Sequence, residues 1–281
     1  MFRREKKGDP RSRSNSAPRR YRLVVWATPR SWLRLLSVAV LAVLACVVLF
    51  ADIPATKTWT FWTTPLTGKV IALDAGHGGA DGGAVSREGV IEKDINLAIV
   101  LYLRDYLQQA GALVVLTREG DYDLAGQGVK GYSKRKTEDL LQRVRTIREK
   151  KADLAISIHL NSVPSARWSG AQTFYSSASS PDSARLAAVI QREIKETLGN
   201  TNRTALTNDK VYLLKSLPMP TALVEIGFLS HPEESRMLAD ESYQKKVAAS
   251  LYRGVLRYVS GEDRPEKAKE KPQASAVWYN G

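Results

Sequence analysis

Cysteine is almost missing from this chain: of 281 residues one is a cysteine, Cys46, and it sits inside an apolar run. A single thiol excludes an intramolecular disulfide, and its position excludes thiol catalysis by the residues that follow the run. Histidine is scarce as well, with only His77, His159 and His231 in the whole chain. There is no internal repeat, and no self-contained metal signature of the HExxH kind.

The chain carries a net charge of +13, unevenly distributed. Residues 1–34 hold eleven Lys/Arg against Glu5 and Asp9, while residues 68–261 hold 26 basic and 22 acidic residues. The basic character therefore belongs mostly to an N-terminal arm. Residues 35–51, LLSVAVLAVLACVVLFA, then pass without a formal charge. Counted from Trp32, the run reaches about the ~20 residues that a spanning helix needs, with Arg34 able to snorkel. The basic arm before it and the single Asp52 after it place the arm in the cytoplasm and the rest outside, by the positive-inside rule. Nucleic-acid binding by the arm is then separated by a membrane from whatever chemistry lies outside. The residues before Cys46 loosely resemble a lipoprotein processing site, but Val47–Phe50 continue apolar, so an uncleaved anchor is expected.

The expected organisation is a basic disordered arm (1–34), a transmembrane anchor (35–53), a linker (54–67), a catalytic domain (68–261) and a flexible tail (262–281). Within the domain, short apolar runs at Val70–Leu73, Leu113–Leu116, Leu154–Ile158 and Thr221–Ile226 predict strands, and Gln172–Tyr175 is read as another. Helices are predicted at Asp94–Ala110, Thr137–Lys151, Ser183–Leu198, Pro232–Ala239 and Ser242–Val259. This alternation predicts one α/β domain with a mostly parallel central sheet and helices on both faces.

Sites in such sheets form at the carboxyl ends of strands. His77 ends the first strand in the loop DAGHGGADGGA, Glu92 precedes the first helix of the domain, His159 ends the third strand, and Glu225 lies in the last. Two imidazoles and a carboxylate would leave zinc an open position for water, as catalytic sites do. Zinc would bring the pKa of that water towards ~7, and Glu225 could take its proton and hand it to a leaving amine. Each residue also has a plainer reading. His77 suits a turn, His159 a hydrogen-bonded core, Glu92 a helix N-terminus, and Glu225 a structural pair with an arginine. Asn161, two residues past His159, and more weakly Arg118 and Arg143, are candidate substrate contacts. His231 reads as an exposed residue just ahead of a helix.

D-x-G-H-G-G, E-K-D, S-I-H-x-N and V-E-x-G-F-L-S, in that order over about residues 68–260, resemble the zinc-dependent N-acetylmuramoyl-L-alanine amidases. The resemblance implies His77, Glu92 and His159 as ligands of one zinc ion and Glu225 as the catalytic glutamate. Ala75 stands where many members have proline, and Ser162 where many have alanine. KGYSKRKTEDLLQRV (130–144), RWSGAQTFY (167–175) and the short N-terminal anchor resemble the germination-specific subgroup of spore-forming bacteria. That implies action on cortex peptidoglycan, removing the stem peptide on the way to muramic-δ-lactam. The chain lacks the long inserted helix between His159 and Glu225 that division amidases use for self-inhibition, so control is expected from expression, location or an activating protein partner. Two other readings stay open: a peptidoglycan-binding module without chemistry, and a zinc peptidase cutting within the stem peptide.

Overall fold

In the computed structural model, residues 29–50 and 64–262 are described. Most of the expected arm, linker and tail lies outside the described residues. Helix α1 (Pro29–Phe50) covers most of the expected anchor, and its side chains from Trp32 to Cys46 are exposed. Among the described residues no helix is long and apolar enough to cross a membrane. Helix α1 and the residues from Thr64 onward belong to separate compact units.

The second unit is built on strands β1 (Val70–Ala75), β2 (Leu113–Leu116), β3 (Leu154–Asn161), β4 (Gln172–Tyr175), β5 (Leu206–Thr207) and β6 (Thr221–Phe228), which form one sheet in the order β2-β1-β3-β6-β4-β5. Neighbours run parallel except β4 against β6. β1, β3 and β6 are the central strands and are buried almost throughout, because helices cover both faces.

Strand periodicity sorts the side chains between those faces. Ile71, Leu73, Ile156, Ile158, Val224 and Ile226 enter the main core, under helices α2 (Glu92–Gln109), α4 (Asp182–Leu198) and α7 (Glu241–Ser260). In α2 the buried residues Ile95, Ile99, Leu103 and Leu107 recur at helical spacing, and the helix stops before Gly111, whose φ is +91°. The alternate set begins with Ala72 and Ala155, which pack in a smaller core against α3 (Tyr132–Glu149) and α5 (Tyr212–Ser216). Further along the same face stand Asp74, Ser157, His159, Leu223 and Glu225. The two helices on that side leave a cleft of about 300 Å³ over these residues. A last helix, α6 (Pro232–Ala239), is capped by His231, whose Nδ1 accepts from Glu234 N at 3.2 Å. His231 is half-buried rather than exposed.

One antiparallel pair, β4 against β6, fits the expected mostly parallel sheet. The two-residue β5 and the five-residue α5 are additions to the expected elements, and α3 starts five residues earlier than its apolar periodicity. The early start has a tertiary cause. Tyr132 Oη donates to Asp81 Oδ1 at 2.9 Å, Lys136 Nζ lies 2.9 Å from Asp81 Oδ2, and Arg135 grips Asp123, so the polar first turns of α3 are held by their side chains.

Candidate active site

The cleft floor gathers side chains from three strand ends, and the start of one helix lies just beneath it. His159 and Glu225 are register partners across β3 and β6, so they project on the same face. His77 lies two residues past β1, with a left-handed φ of +63°. Such a backbone costs a non-glycine residue on the order of 1–3 kcal/mol and persists only where its surroundings enforce it. Glu92 opens α2 and is buried at 3% exposure.

One carboxylate oxygen stands between the two imidazoles. Glu92 Oε1 is 3.2 Å from His77 Nε2 and 3.1 Å from His159 Nδ1, and the ligand atoms of the three residues all lie within 4.8 Å of one another. The His77 and His159 rings meet edge to face, their centroids 4.9 Å apart. Glu92 is itself fixed by backbone donors: Ala84 N gives to Oε2 at 2.8 Å and Leu160 N to Oε1 at 3.0 Å. Burial works against its charge, but the two histidines hold the carboxyl well below the usual range. Burial also opposes protonation of His77, and Glu92 and Asp81 outweigh it, raising the imidazole. Two glycines make room for this cluster. A β-carbon on Gly76 would come within 2.3 Å of the His159 ring, and one on Gly83 within 2.5 Å of Glu92 Oε2.

This donor set fits a divalent cation. Two nitrogens and a carboxylate converge, and converging groups of this kind suit zinc with an open position. Behind His77, Asp81 Oδ2 lies 2.9 Å from Nδ1, outside hydrogen-bond alignment, in the place from which a carboxylate orients a ligand imidazole. Glu225 faces the cleft, and its Oε2 is buried with no hydrogen-bond partner. Burial raises its carboxyl above the ordinary value. An unpartnered buried carboxylate oxygen is expensive, as befits a group kept ready for a proton.

Asp74 sits under the site with both carboxylate oxygens hydrogen-bonded. Thr117 Oγ1 and Arg143 Nη1 donate to Oδ1, both at 2.8 Å, and Ser157 Oγ donates to Oδ2 at 2.6 Å. Burial pushes its carboxyl up, but Arg143 and Ser157 bring it down to about 2. The folded value is therefore below the unfolded one, so folding favours the ionised form. That contributes about 2 kcal/mol, fully present above pH ~4 and lost as the pH falls towards 2. Urea unfolding midpoints measured between pH 2 and 6 should drop across that window, and the drop should be shallower in Asp74→Asn.

The sequence-derived candidates are therefore placed as follows. His77, Glu92, His159 and Glu225 come together. Asn161 is not among the residues lining the cleft; the β3–β6 register shifts between His159 and Asn161, and its carbonyl accepts from Leu229 N. Arg118 and Arg143 are buried at 1% and 2% exposure, with their donors on protein carbonyls and carboxylates, although Arg143 also borders the cleft. Sequence reasoning passed over Asp74, Asp81, Asn96 and Ser157. Ser157, two residues before His159 on one strand, was open to the period-two argument, and Asp81 follows His77 by four residues in the same glycine loop. Glu234 was missed too: its buried carboxylate accepts from Phe228 N and Gly170 N, tying the end of β6 to the loop before β4.

Residues 71–257 match the family model for N-acetylmuramoyl-L-alanine amidase. The germination-specific N-acetylmuramoyl-L-alanine amidase of Bacillus subtilis is 50% identical over 208 residues, covering 74% of this chain and 87% of its own. Among solved structures, the CwlD amidase from Clostridioides difficile, in complex with the GerS lipoprotein, superposes with a TM-score of 0.67 at 42% identity, covering 69% of this chain and 99% of that one. The catalytic domain of CwlV from Bacillus (Paenibacillus) polymyxa gives 0.59 at 33% identity, covering 68% and 98%. A family match across the whole sheet, joined to half-identity with one member over nearly all of that member's length, leaves one conclusion: the chain belongs to the N-acetylmuramoyl-L-alanine amidase family.

Proposed function

We propose that this amidase is zinc-dependent, with His77, Glu92 and His159 holding one ion and Glu225 as acid/base, and that its substrate is cortex peptidoglycan. The observation that carries the reading is the convergence of three ligand atoms within 4.8 Å beneath a cleft that also receives the unpartnered Glu225 oxygen. Zinc held there would supply a Lewis acid for the amide carbonyl and for the attacking water near neutral pH. Glu225 accepts the proton of the attacking water and delivers it to the amine of L-Ala as that bond to the lactyl carbonyl breaks. Its raised affinity for a proton suits the second half of that task. Leu140, Val211, Leu213 and Leu223 line the cleft beside it and limit water around the reacting atoms.

The cortex assignment draws on the germination-specific relative from Bacillus subtilis and the CwlD amidase from Clostridioides difficile. That the latter is complexed with a lipoprotein supports an activating protein partner for this chain as well. The anchor reading rests on the apolar run 35–51, the basic arm before it and the exposed apolar side chains of α1, which suit lipid better than water. In this reading the N-terminus is cytoplasmic and the catalytic unit faces the cortex.

Mass spectrometry of cortex muropeptides digested with the protein tests the chemistry. Released peptides should begin with a free L-Ala amine and leave an intact lactyl acid on the glycan. Peptides cut only between stem residues would replace the amidase by a peptidase.

A further inference from the structure

Arg118 follows β2, a strand that contributes no ligand to the site. Its guanidinium is nonetheless fully buried and donates four hydrogen bonds, all to backbone carbonyls. Nε reaches Ala75 O at 2.9 Å, and Nη2 reaches both Gly76 O at 3.0 Å and Lys93 O at 2.7 Å, while Nη1 takes Gly120 O at 3.0 Å. Ala75 and Gly76 are the two residues before His77, and Lys93 is the residue after Glu92. One planar fork therefore ties together the two chain segments that carry the first two candidate ligands.

Neighbouring groups complete the grip. Arg143 donates to Ala75 O and to His77 O, at 2.6 and 2.5 Å, and Asn96 Nδ2 spans Gly76 O and Glu92 Oε1. The carbonyls of three consecutive residues, 75 to 77, thus all point at buried cations, which fixes the left-handed backbone of His77. Arg143 balances its charge against Asp74 and Asp139, whereas no ion pair of Arg118 with a carboxylate exists among the described residues. Burying a guanidinium with no carboxylate in direct contact is costly for stability, even with Asp74, Asp121 and Asp139 acting on it at longer range. A neutral side chain would fill the same space, so the cost points to what the fork holds in place.

We propose that Arg118 is a positioning residue of the metal centre, holding the His77 and Glu92 segments at the separation a bound cation requires. The proposal rests on the zinc reading above. A lysine, with three donors on one atom, cannot span carbonyls from three separate segments as the planar fork does.

The test is zinc affinity of the folded protein, measured by competition with a chromogenic chelator, for wild type, Arg118→Met, Arg118→Lys and Leu251→Ala. Leu251 is buried in the main core on α7, so its truncation destabilises the fold without touching the site. Arg118→Met should bind zinc about 10- to 100-fold more weakly, the range typical of lost outer-shell partners. Arg118→Lys should fall between it and wild type, and Leu251→Ala should bind as wild type does at temperatures where it is folded. Wild-type affinity in folded Arg118→Met overturns the proposal. Should that variant fail to fold, wild-type affinity in Arg118→Lys overturns it instead. Equal loss of affinity in Leu251→Ala also overturns it, because general destabilisation would then be the cause. A wild-type protein that binds no zinc contradicts the metal reading beneath the proposal, a result separable from all of these.

Discussion

Glu225→Gln should lower turnover by about 10²- to 10⁴-fold, the span associated with losing a positioned acid/base, while the protein folds normally and keeps its metal. The amide is nearly isosteric with the carboxylate, so the packing of β6 against β3 is retained. Only the ability to take and return a proton is removed. Glu225 Oε2 has no hydrogen-bond partner to lose, so no structural network depends on its charge. Stability should hold or rise slightly, since burial of an ionised carboxyl is relieved. Turnover on defined muropeptides, zinc content and melting temperature measured together check this. Activity within a few-fold of wild type would remove Glu225 from the chemistry.

Arg143→Met should destabilise the domain by about 3–5 kcal/mol, the cost typical of breaking a buried ion pair from one side. Arg143 is 2% exposed, with Asp74 Oδ1 and Asp139 Oδ2 each 2.8 Å from its guanidinium. Methionine fills much of the volume but leaves both acids without their shared cation and frees the carbonyl of His77, while Ala75 O keeps its bond from Arg118. Asp139 keeps only its bond from Leu124 N, and Asp74 keeps Thr117 and Ser157. Urea unfolding should show the loss at neutral pH and a smaller one below about pH 2, where Asp74 is protonated in either protein. An equal loss at all pH values would mean that packing, not charge, makes Arg143 important.

Much of the fold was legible because its strands are buried on both faces. Val70–Leu73, Leu154–Ile158 and Thr221–Ile226 read as apolar runs, and the real strands continue past them to Ala75, Asn161 and Phe228. In the first two the continuations carry Asp74 and His159, so there the hydrophobic signal stops where the site begins, whereas Glu225 lies within the apolar run of β6. The first turns of α3 were illegible for a related reason. Tyr132 to Lys136 show no apolar period, and their helix is secured by contacts with Asp81 and Asp123 that sequence spacing does not reveal. The antiparallel sense of β4 depends on how the chain crosses after β3, which local pattern does not encode. Within the site, strand-end placement and family resemblance singled out the convergent four residues. The two arginines read as weak candidate substrate contacts, but their donors turn inward to backbone carbonyls, which sequence spacing does not reveal.

In the proposed mechanism a single zinc ion on His77, Glu92 and His159 is required for cleavage at the muramoyl–L-alanine bond. The most direct measurement is amidase activity on cortex muropeptides before chelation, after complete zinc removal, and after stoichiometric zinc is returned. Activity should vanish with the metal and come back at one zinc per chain, and His159→Ala should not recover at that stoichiometry. Full activity in the verified metal-free protein, or full recovery in His159→Ala at one zinc per chain, would contradict the account.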